Sequence, residues 1–453
     1  MPILVIQSFF ILTHIKNNSK IYSRGFLRFK DWSVVMVFKI KNFGKIEYAE
    51  IKLDGITVIC GNNNTGKSTV GKALFSFFNS LYDYKNKIQK EKINKARDFI
   101  VNYSSSVFND IISFEENNDF FLRNESNYTI EEVKKYLEEK KAIKVSKDKI
   151  ASLVNYLNSS ESEIINEYVF RYFNSVMNGQ LKNTYSSKNS ECSVIGEFKE
   201  GTNIVSLSNK TSDCIIDEPL EHTAYYINSP FSLDWLNQGY FLLQGMNNLE
   251  KNVISAILKN QYDLNADSMT NILDSVLNKK DLDEVRNVIK NAYKGETKIL
   301  NGKYYYHEGD VDFDFRNISA GLKSFALIER LLESGALKRK DVLILDEPEI
   351  HLHSEWQIIY AELIVILQKT FDLTILLVTH SFQFLESLEY FMRKYEIPER
   401  GNYYISTTNE KGTSITDGNS LSKMKKNLKS GMYTLADMKL SELYDGDSDE
   451  KDN

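Results

Sequence analysis

Residues 58–70 read VICGNNNTGKSTV, an apolar run followed by three asparagines and then Gly-Lys-Ser-Thr. Gly61 and Gly66 bracket Asn62, Asn63, Asn64 and Thr65, and Lys67 and Ser68 follow directly. This is the GxxxxGKS spacing of a phosphate loop, set between a buried strand and a helix as such a loop requires. Its backbone N–H groups converge on a β-phosphate, and the glycines take angles that a Cβ would forbid. Lys67 adds a flexible positive charge for the β- and γ-phosphates, and the Ser68 hydroxyl can ligate Mg2+. From Thr69 onward, TVGKALFSFF reads as a helix whose N-terminal end faces the same phosphates. The expected cofactors are ATP and Mg2+.

Far downstream, residues 340–356 read KDVLILDEPEIHLHSEW, with the apolar run Val342 to Leu345 ahead of Asp346 and Glu347. A buried parallel strand ending in two acids presents them at the carboxyl edge of an open α/β sheet, where ligands sit. There Asp346 can hold the Mg2+ shell while Glu347 polarises the attacking water. A further strand, LTILLVTHS at 373–381, ends in His380, positioned to donate a hydrogen bond to a γ-phosphate. Asp346 and His380 are 34 residues apart (380 − 346), room for one helix, which SEWQIIYAELIVILQKTF supplies. Between loop and acids, FRNISAGLKSFALIERLLESG at 315–335 places Ser319, Ala320 and Gly321 before a helix with apolar residues at Leu322, Phe325, Ile328 and Leu332. This is either a second anion site at a helix N-terminus or an ordinary capped core helix.

A chain of 453 residues with 42% hydrophobic content exceeds one ordinary domain and can bury a substantial core, so two lobes are expected. The net charge of −6 gives no global signature of a nucleic-acid binder. Cys60, Cys192 and Cys214 are odd in number and lack CxxC spacing, which suits a reducing cytoplasm and offers no zinc framework. The apolar run at 3–15 is short, contains Gln7, Ser8, Thr13 and His14, and has no basic segment ahead of it, so neither a secretory signal nor a membrane span is expected. Met36 opens a strand-first segment, and residues 1–35 are expected to be a non-native upstream extension.

From Met36, VFKIKNF and AEIKL alternate, GK and DG turn, and ITVIC reads as a buried strand. Such an antiparallel lead looks like the opening lobe of an ABC-type ATPase. The 252 residues between Lys67 and Ser319 (319 − 67) exceed what a sheet needs and must house insertions. TIEEVKKYLEEKKAIKV opens with a capping box, Thr129 and Glu132, and reads as a helix, and no sustained heptad predicts a long coiled-coil arm. CSVIGEFKEGTNIVSLS reads as a hairpin turning at Gly201, HTAYYINSPF as a strand returning to the core, and KYYYHEGDVDFDF as a second hairpin. YKNKIQKEKINKAR at 84–97 carries six cations against Glu91, and either contacts nucleic-acid phosphates without sequence preference or forms a solvated helix face. KMKKNLK at 423–429 is a weaker run of the same kind, and the acidic tail is expected to be disordered.

GNNNTGKST, ISAGLKS, LILDEPEIHLHSEWQ and LLVTHS, in that order and behind KIKNFGKIEYAEIKL, span most of residues 36–390. On these motifs the chain resembles the RecF/SMC-related branch of ABC ATPases, and within it the OLD-like (overcoming lysogenization defect) group, described as AAA-15 or AAA-21 proteins of bacterial defence systems. Ala320 replaces the small serine or glycine usual inside the signature, and Ser354 stands where proline commonly follows HLH. The resemblance implies an α/β fold of the ABC P-loop type, with a mixed or parallel sheet core, an antiparallel β lead and a largely helical insertion. The expected division is an ATPase lobe at 36–80, an insertion at 81–220, the rest of the ATPase lobe at 221–445 and a tail at 446–453.

The resemblance also implies a homodimer or higher homo-oligomer in which Ser319, Ala320 and Gly321 of one copy close on the ATP held by the other. The segment carrying His351 and His353 would cross that interface, which is preferred to a metal site for the HxH pair. A glutamine sensing Mg2+ and the γ-phosphate should lie between Lys67 and Ser319, at Gln180 or Gln244. After His380 only 73 residues remain (453 − 380), and they hold no EGxxD-type acid cluster. No nuclease activity is therefore expected in this chain, and a separate effector, nuclease or toxin, is the expected partner. The implied function is an ATP-hydrolysing sensor or regulatory subunit of an anti-phage defence system, with a RecF/SMC-like ATPase of DNA repair or recombination as the alternative.

Overall fold

The computed structural model describes residues 36–103, 120, 127–139, 145–185, 191–238, 246–264 and 269–418, and in it the alternating lead forms an antiparallel hairpin. Strand β1 (Met36–Phe43) pairs with β2 (Ile46–Leu53), Met36 opposite Leu53 and Phe43 opposite Ile46. Met36, Phe38 and Ile40 are buried on one face while Lys39 and Lys41 lean outward, as period-two side chains must. Strand β3 (Ile56–Cys60) is buried at every position, the pattern of a central strand covered on both faces.

The chain then enters the phosphate loop and helix α1 (Lys67–Leu81), and continues into a helical segment of α2 (Tyr84–Tyr103), α3 (Ile130–Glu139), α4 (Lys147–Leu157) and α5 (Glu161–Val176). Thr129 and Glu132 exchange the expected reciprocal hydrogen bonds at the start of α3. Ala96, Ile100, Val133, Leu137, Ile150 and Leu153 give the segment a small core of its own. Strands β4 (Cys192–Glu197), β5 (Thr202–Leu207) and β6 (Ser212–Ile216) follow, and then β7 (Ala224–Ile227). Helices α6 (Asn248–Leu264) and α7 (Met269–Ala292) lead to a small separate sheet of β8 (Glu296–Leu300), β9 (Lys303–Glu308) and β10 (Val311–Asp314). The last part holds α8 (Ala320–Glu333), β11 (Val342–Asp346), α9 (Ser354–Phe371), β12 (Thr374–Thr379), α10 (Phe382–Lys394), β13 (Gly401–Asn409) and β14 (Gly412–Asp417).

One sheet of eleven strands joins these parts in the order β6-β5-β4-β1-β2-β14-β13-β3-β12-β11-β7. The stretch from β13 to β7 is parallel throughout, and β6 to β2 is antiparallel throughout. Two cores lie against this sheet: one gathers Phe75, Phe77 and Phe78 of α1 with Val169 and Phe173 of α5, the other gathers α8, α9 and α10.

The fold is thus the expected α/β type with a parallel core and antiparallel lead. Two placements in the sheet go beyond what the sequence specifies. The strands at 192–216, placed in the insertion by sequence, hydrogen-bond to β1 and extend the antiparallel part of the main sheet. Alternation alone cannot say which edge a hairpin joins. The hairpin at 401–417 joins the main sheet as well: β13 lies parallel beside β3 and links the two parts of the sheet. The 1–35 extension, Gln244, the 423–429 run and the 446–453 tail lie outside the described residues. Among those described, no helix is long and apolar enough to cross a membrane.

Candidate active site

Strand β3 leads into Gly61, whose φ of +155° and close approach to β13 leave no room for a side chain: a Cβ would lie 2.0 Å from Ser406 Oγ. Asn62, Asn63 and Asn64 are exposed, and Asn64 takes a φ of +64°. Gly66, left-handed at φ +75°, is the N-cap from which α1 departs. Thr65 Oγ1 donates to Asn62 O at 2.8 Å and lies 2.6 Å from Ser406 Oγ, so β13 braces the loop from its side. Lys67 Nζ donates to Gly61 O at 3.0 Å and Asn62 O at 2.7 Å, which turns the ammonium into the curve of the loop. Burial lowers the Lys67 pKa, opposed by the carboxylates of Glu347 and Asp346. Outside the loop, Lys45 of the β1–β2 turn donates to Asn64 Oδ1, a second cation at the same rim.

Strand β11 brings the acids to this loop. Asp346 Oδ1 accepts from Ser68 Oγ at 3.1 Å, and Asp346 Oδ2 accepts from the Tyr226 hydroxyl. Burial raises the Asp346 carboxyl, and the hydrogen bonds from Tyr226 and Ser68 oppose that shift. Burial also drives the Tyr226 phenol well above its ordinary value, so it acts here as a donor. Glu347 has a φ of +52°, a costly left-handed conformation for a long side chain, and its N–H donates to Val378 O at 2.8 Å. Its Oε1 lies 3.4 Å from His380 Nδ1. Ser68, Asp346, Glu347 and His380 thus lie in one cluster at the carboxyl ends of β3, β11 and β12.

Glu349 was not singled out in the sequence, and it ties the cluster together from below. Only 3% exposed, its Oε1 accepts from the Thr379 hydroxyl and from His380 N–H at 3.3 Å, while Oε2 has no hydrogen-bond partner among the described residues. Burial raises its carboxyl. The third acid of DEPE is legible as a letter; its inward direction is decided by the turn at Glu347.

Ser319, Ala320 and Gly321 sit on a different contact. Ser319 caps α8, its Oγ accepting from Leu322 N at 3.3 Å, so the capped-helix alternative describes its bonding. A Cβ on Gly321 would stand 2.9 Å from the Trp356 ring and 3.1 Å from His351 O, so the glycine lets α8 lie tight against the turn that follows Glu347. Ala320 opens the helix beside them. Lys323, 2% exposed, pairs with Asp234 at 2.6 Å and lies 4.9 Å from the Phe231 ring centroid. His351 packs edge-on against Phe231, and His353 against Trp356. Phe231, Trp235 and Ile350 are exposed around this turn.

Gln180 occupies the turn after α5, exposed, with its N–H on Met177 O at 3.0 Å. Beside Asp346 the sheet places a different amide: Ile227 pairs with Leu345, so Asn228, exposed, follows at the adjacent strand end. No motif marked Asn228, because adjacency of β7 and β11 is a property of the sheet. Behind it, Asn79 of α1 grips Ala224 through both N–H and C=O, at 3.3 and 2.7 Å, and so fixes β7 to the phosphate-loop helix.

Against known proteins, a family model described as AAA_15, an AAA ATPase domain, matches residues 36–385. No curated protein matches the chain. Among solved structures it is similar to an SMC head bound to the C-winged helix domain of ScpA, at 11% identity and a TM-score of 0.41, covering 84% of this chain and 96% of that one. The SMC head domain from Thermotoga maritima is similar at 9% identity and a TM-score of 0.36, covering 84% and 98%. An Smc head domain from Pyrococcus furiosus, with an extended coiled coil and bound to the C-terminal domain of ScpA, is similar at 9% and 0.38, covering 89% and 98%.

Proposed function

Because the chain belongs to the AAA_15 family of AAA ATPase domains, we propose that it binds and hydrolyses ATP, and that bound nucleotide joins two copies into a switch acting on a separate effector. The observation that carries this is the convergence of Lys67, Ser68, Asp346, Glu347 and His380 at one sheet end. The donor set suits Mg2+: Ser68 Oγ and Asp346 Oδ1 are hard oxygens 3.1 Å apart, and this ion takes one or two such protein ligands alongside phosphate oxygens. When bound, it supplies neutralising charge across the phosphates.

The chain's own groups divide the remaining work. Lys67 exchanges loop carbonyls for phosphate oxygens, and the loop N–H groups complete the cradle. Glu347 orients the attacking water and receives its proton, with His380 beside it to hold the carboxylate and meet the γ-phosphate. Asn228 takes the sensing position that a glutamine was expected to fill.

Exposed Ile350, Phe231 and Trp235 surround the start of α8 with apolar surface. Such a patch suits a second copy, whose phosphate loop would then face Ser319, Ala320 and Gly321. Closure follows because a γ-phosphate touching both copies favours the joined state, and hydrolysis removes the bridge. Control of an effector in anti-phage defence rests on the OLD-like resemblance. The DNA-repair alternative draws on exposed Lys85, Lys90 and Lys95 of α2, and stimulation of hydrolysis by duplex DNA would favour it.

The test is size-exclusion chromatography with ATP. Glu347→Gln is expected to elute as a larger, trapped assembly and Lys67→Ala as the unassembled chain. An unchanged elution volume for Glu347→Gln would count against closure.

A further inference from the structure

Tyr226 of β7 is among the largest fully buried side chains of the described residues, yet its hydroxyl ends on Asp346 Oδ2. Oδ1 of the same carboxylate accepts from Ser68 Oγ at 3.1 Å. One stripe of α1 supports the whole arrangement. Ser68, Gly71, Phe75 and Asn79 follow one another at helical spacing and so share a face of the helix. Asn79 bonds the backbone of Ala224 through its amide N–H and C=O, and the Phe75 ring stands edge-on to Tyr226 with centroids 6.2 Å apart.

Gly71 lies against the Tyr226 ring. A Cβ there would stand 2.9 Å from Tyr226 Cε2 and 3.0 Å from Ile344 Cγ2. Glycine weakens a helix interior, and at this position it lets α1 approach β7 closely enough for the phenol to reach past it to the acid. The χ2 torsion of an aspartate is broad, so a carboxylate held by one oxygen alone can turn. A donor on each oxygen removes that freedom. Burial keeps the phenol protonated, so it remains a donor to Asp346 when Ser68 turns its oxygen to a cation.

We propose that Tyr226 is the positioning residue of the Mg2+ site: its hydroxyl locks the Asp346 carboxylate so that Oδ1 stays turned toward Ser68 and the ion, and Gly71 provides the room. This role rests on the ATP-binding reading of the site and adds to it a residue that acts through Asp346. Metal-ligating carboxylates depend on such outer hydrogen bonds, and loss of one weakens metal binding by about 10–100-fold.

The test is the affinity of the full chain for mant-AMPPNP, a fluorescent and slowly hydrolysed ATP analogue, in MgCl2 and in EDTA. Wild type is expected to bind in both buffers and more tightly with Mg2+. Tyr226→Phe keeps the ring and should lose about tenfold in MgCl2 with little change in EDTA. Gly71→Ala, which displaces the ring while the hydroxyl is still present, should show the same Mg2+-dependent loss and serves as the second variant if Tyr226→Phe does not fold. On an Asp346→Asn background Tyr226→Phe should add no further loss in MgCl2, because the phenol acts through that carboxylate. Binding like that of wild type in MgCl2, equal losses in both buffers, or a further loss of about tenfold on the Asp346→Asn background would overturn the role of Tyr226. A wild type that binds in neither buffer would overturn the ATP-binding reading itself, so the two failures are distinguishable.

Discussion

Glu349 holds the backbone of His380 and the hydroxyl of Thr379 with one oxygen while the other, buried, is unpaired among the described residues, so the position of the histidine depends on a carboxylate that need not touch nucleotide. Glu349→Gln keeps the shape and changes the acceptor. Hydrolysis is expected to fall by up to about 100-fold through misplacement of His380, with nucleotide affinity little changed. Equal losses in affinity and turnover would instead indicate a collapsed site. Lys87 gives a prediction about pH. Its folded pKa is lowered to about 8 from 10.5 by burial, with Asp83 opposing and Lys90 reinforcing that shift. Between those two values the unfolded chain holds a proton that the folded chain has released, so stability contributed by this group rises with pH across the window. Thermal melts of wild type should therefore gain on those of Lys87→Met from pH 8 to 10.5, and parallel curves would contradict the burial of Lys87. At this scale the sequence marked Lys67, Ser68, Asp346, Glu347 and His380, because each belongs to a local spacing. Ser406, Tyr226, Asn228 and Glu349 carry no such spacing, since their partners lie on other strands.

Between elements, α8 packs closely against the start of α9. Gly321 is required there by Trp356 rather than by any turn, and Gly321→Ala must push the helix off its seat. Overpacking of this kind costs about 1–3 kcal/mol, and a lowered melting temperature is expected together with loss of ATP-dependent assembly. Trp356→Leu in the same chain should restore much of the stability, whereas no rescue would place the strain elsewhere. The elements themselves were legible where one period dominated. The helix at 354–371 and the strands at 342–346 and 374–379 follow the predicted stretches because each is long, apolar and bounded by turn residues. The basic run at 84–97 was ambiguous for a physical reason: α2 turns Lys87 inward while Lys85 and Lys90 stay exposed, and composition does not distinguish inner from outer faces.

For the whole molecule, the exposed apolar turn around Ile350 is the surface on which assembly should depend. Ile350→Asp changes a residue that is 56% exposed, so the monomer's stability should hold within about 0.5 kcal/mol. In the Glu347→Gln background it should abolish the larger ATP-dependent species seen by chromatography while leaving nucleotide binding intact. Persistence of that species would move the interface to another face. By itself the sequence determined the phosphate loop, the paired acids, the histidine-ended strand and the α/β class, since these rest on short-range spacing and hydrophobic period. Only the tertiary structure decided that the 192–216 strands extend the antiparallel part, that β13 braces the phosphate loop through Ser406, and that Asn228 stands beside Asp346. Strand neighbours are chosen by which buried faces fit together across distant parts of the chain, and that choice leaves no local mark on the residues that make it.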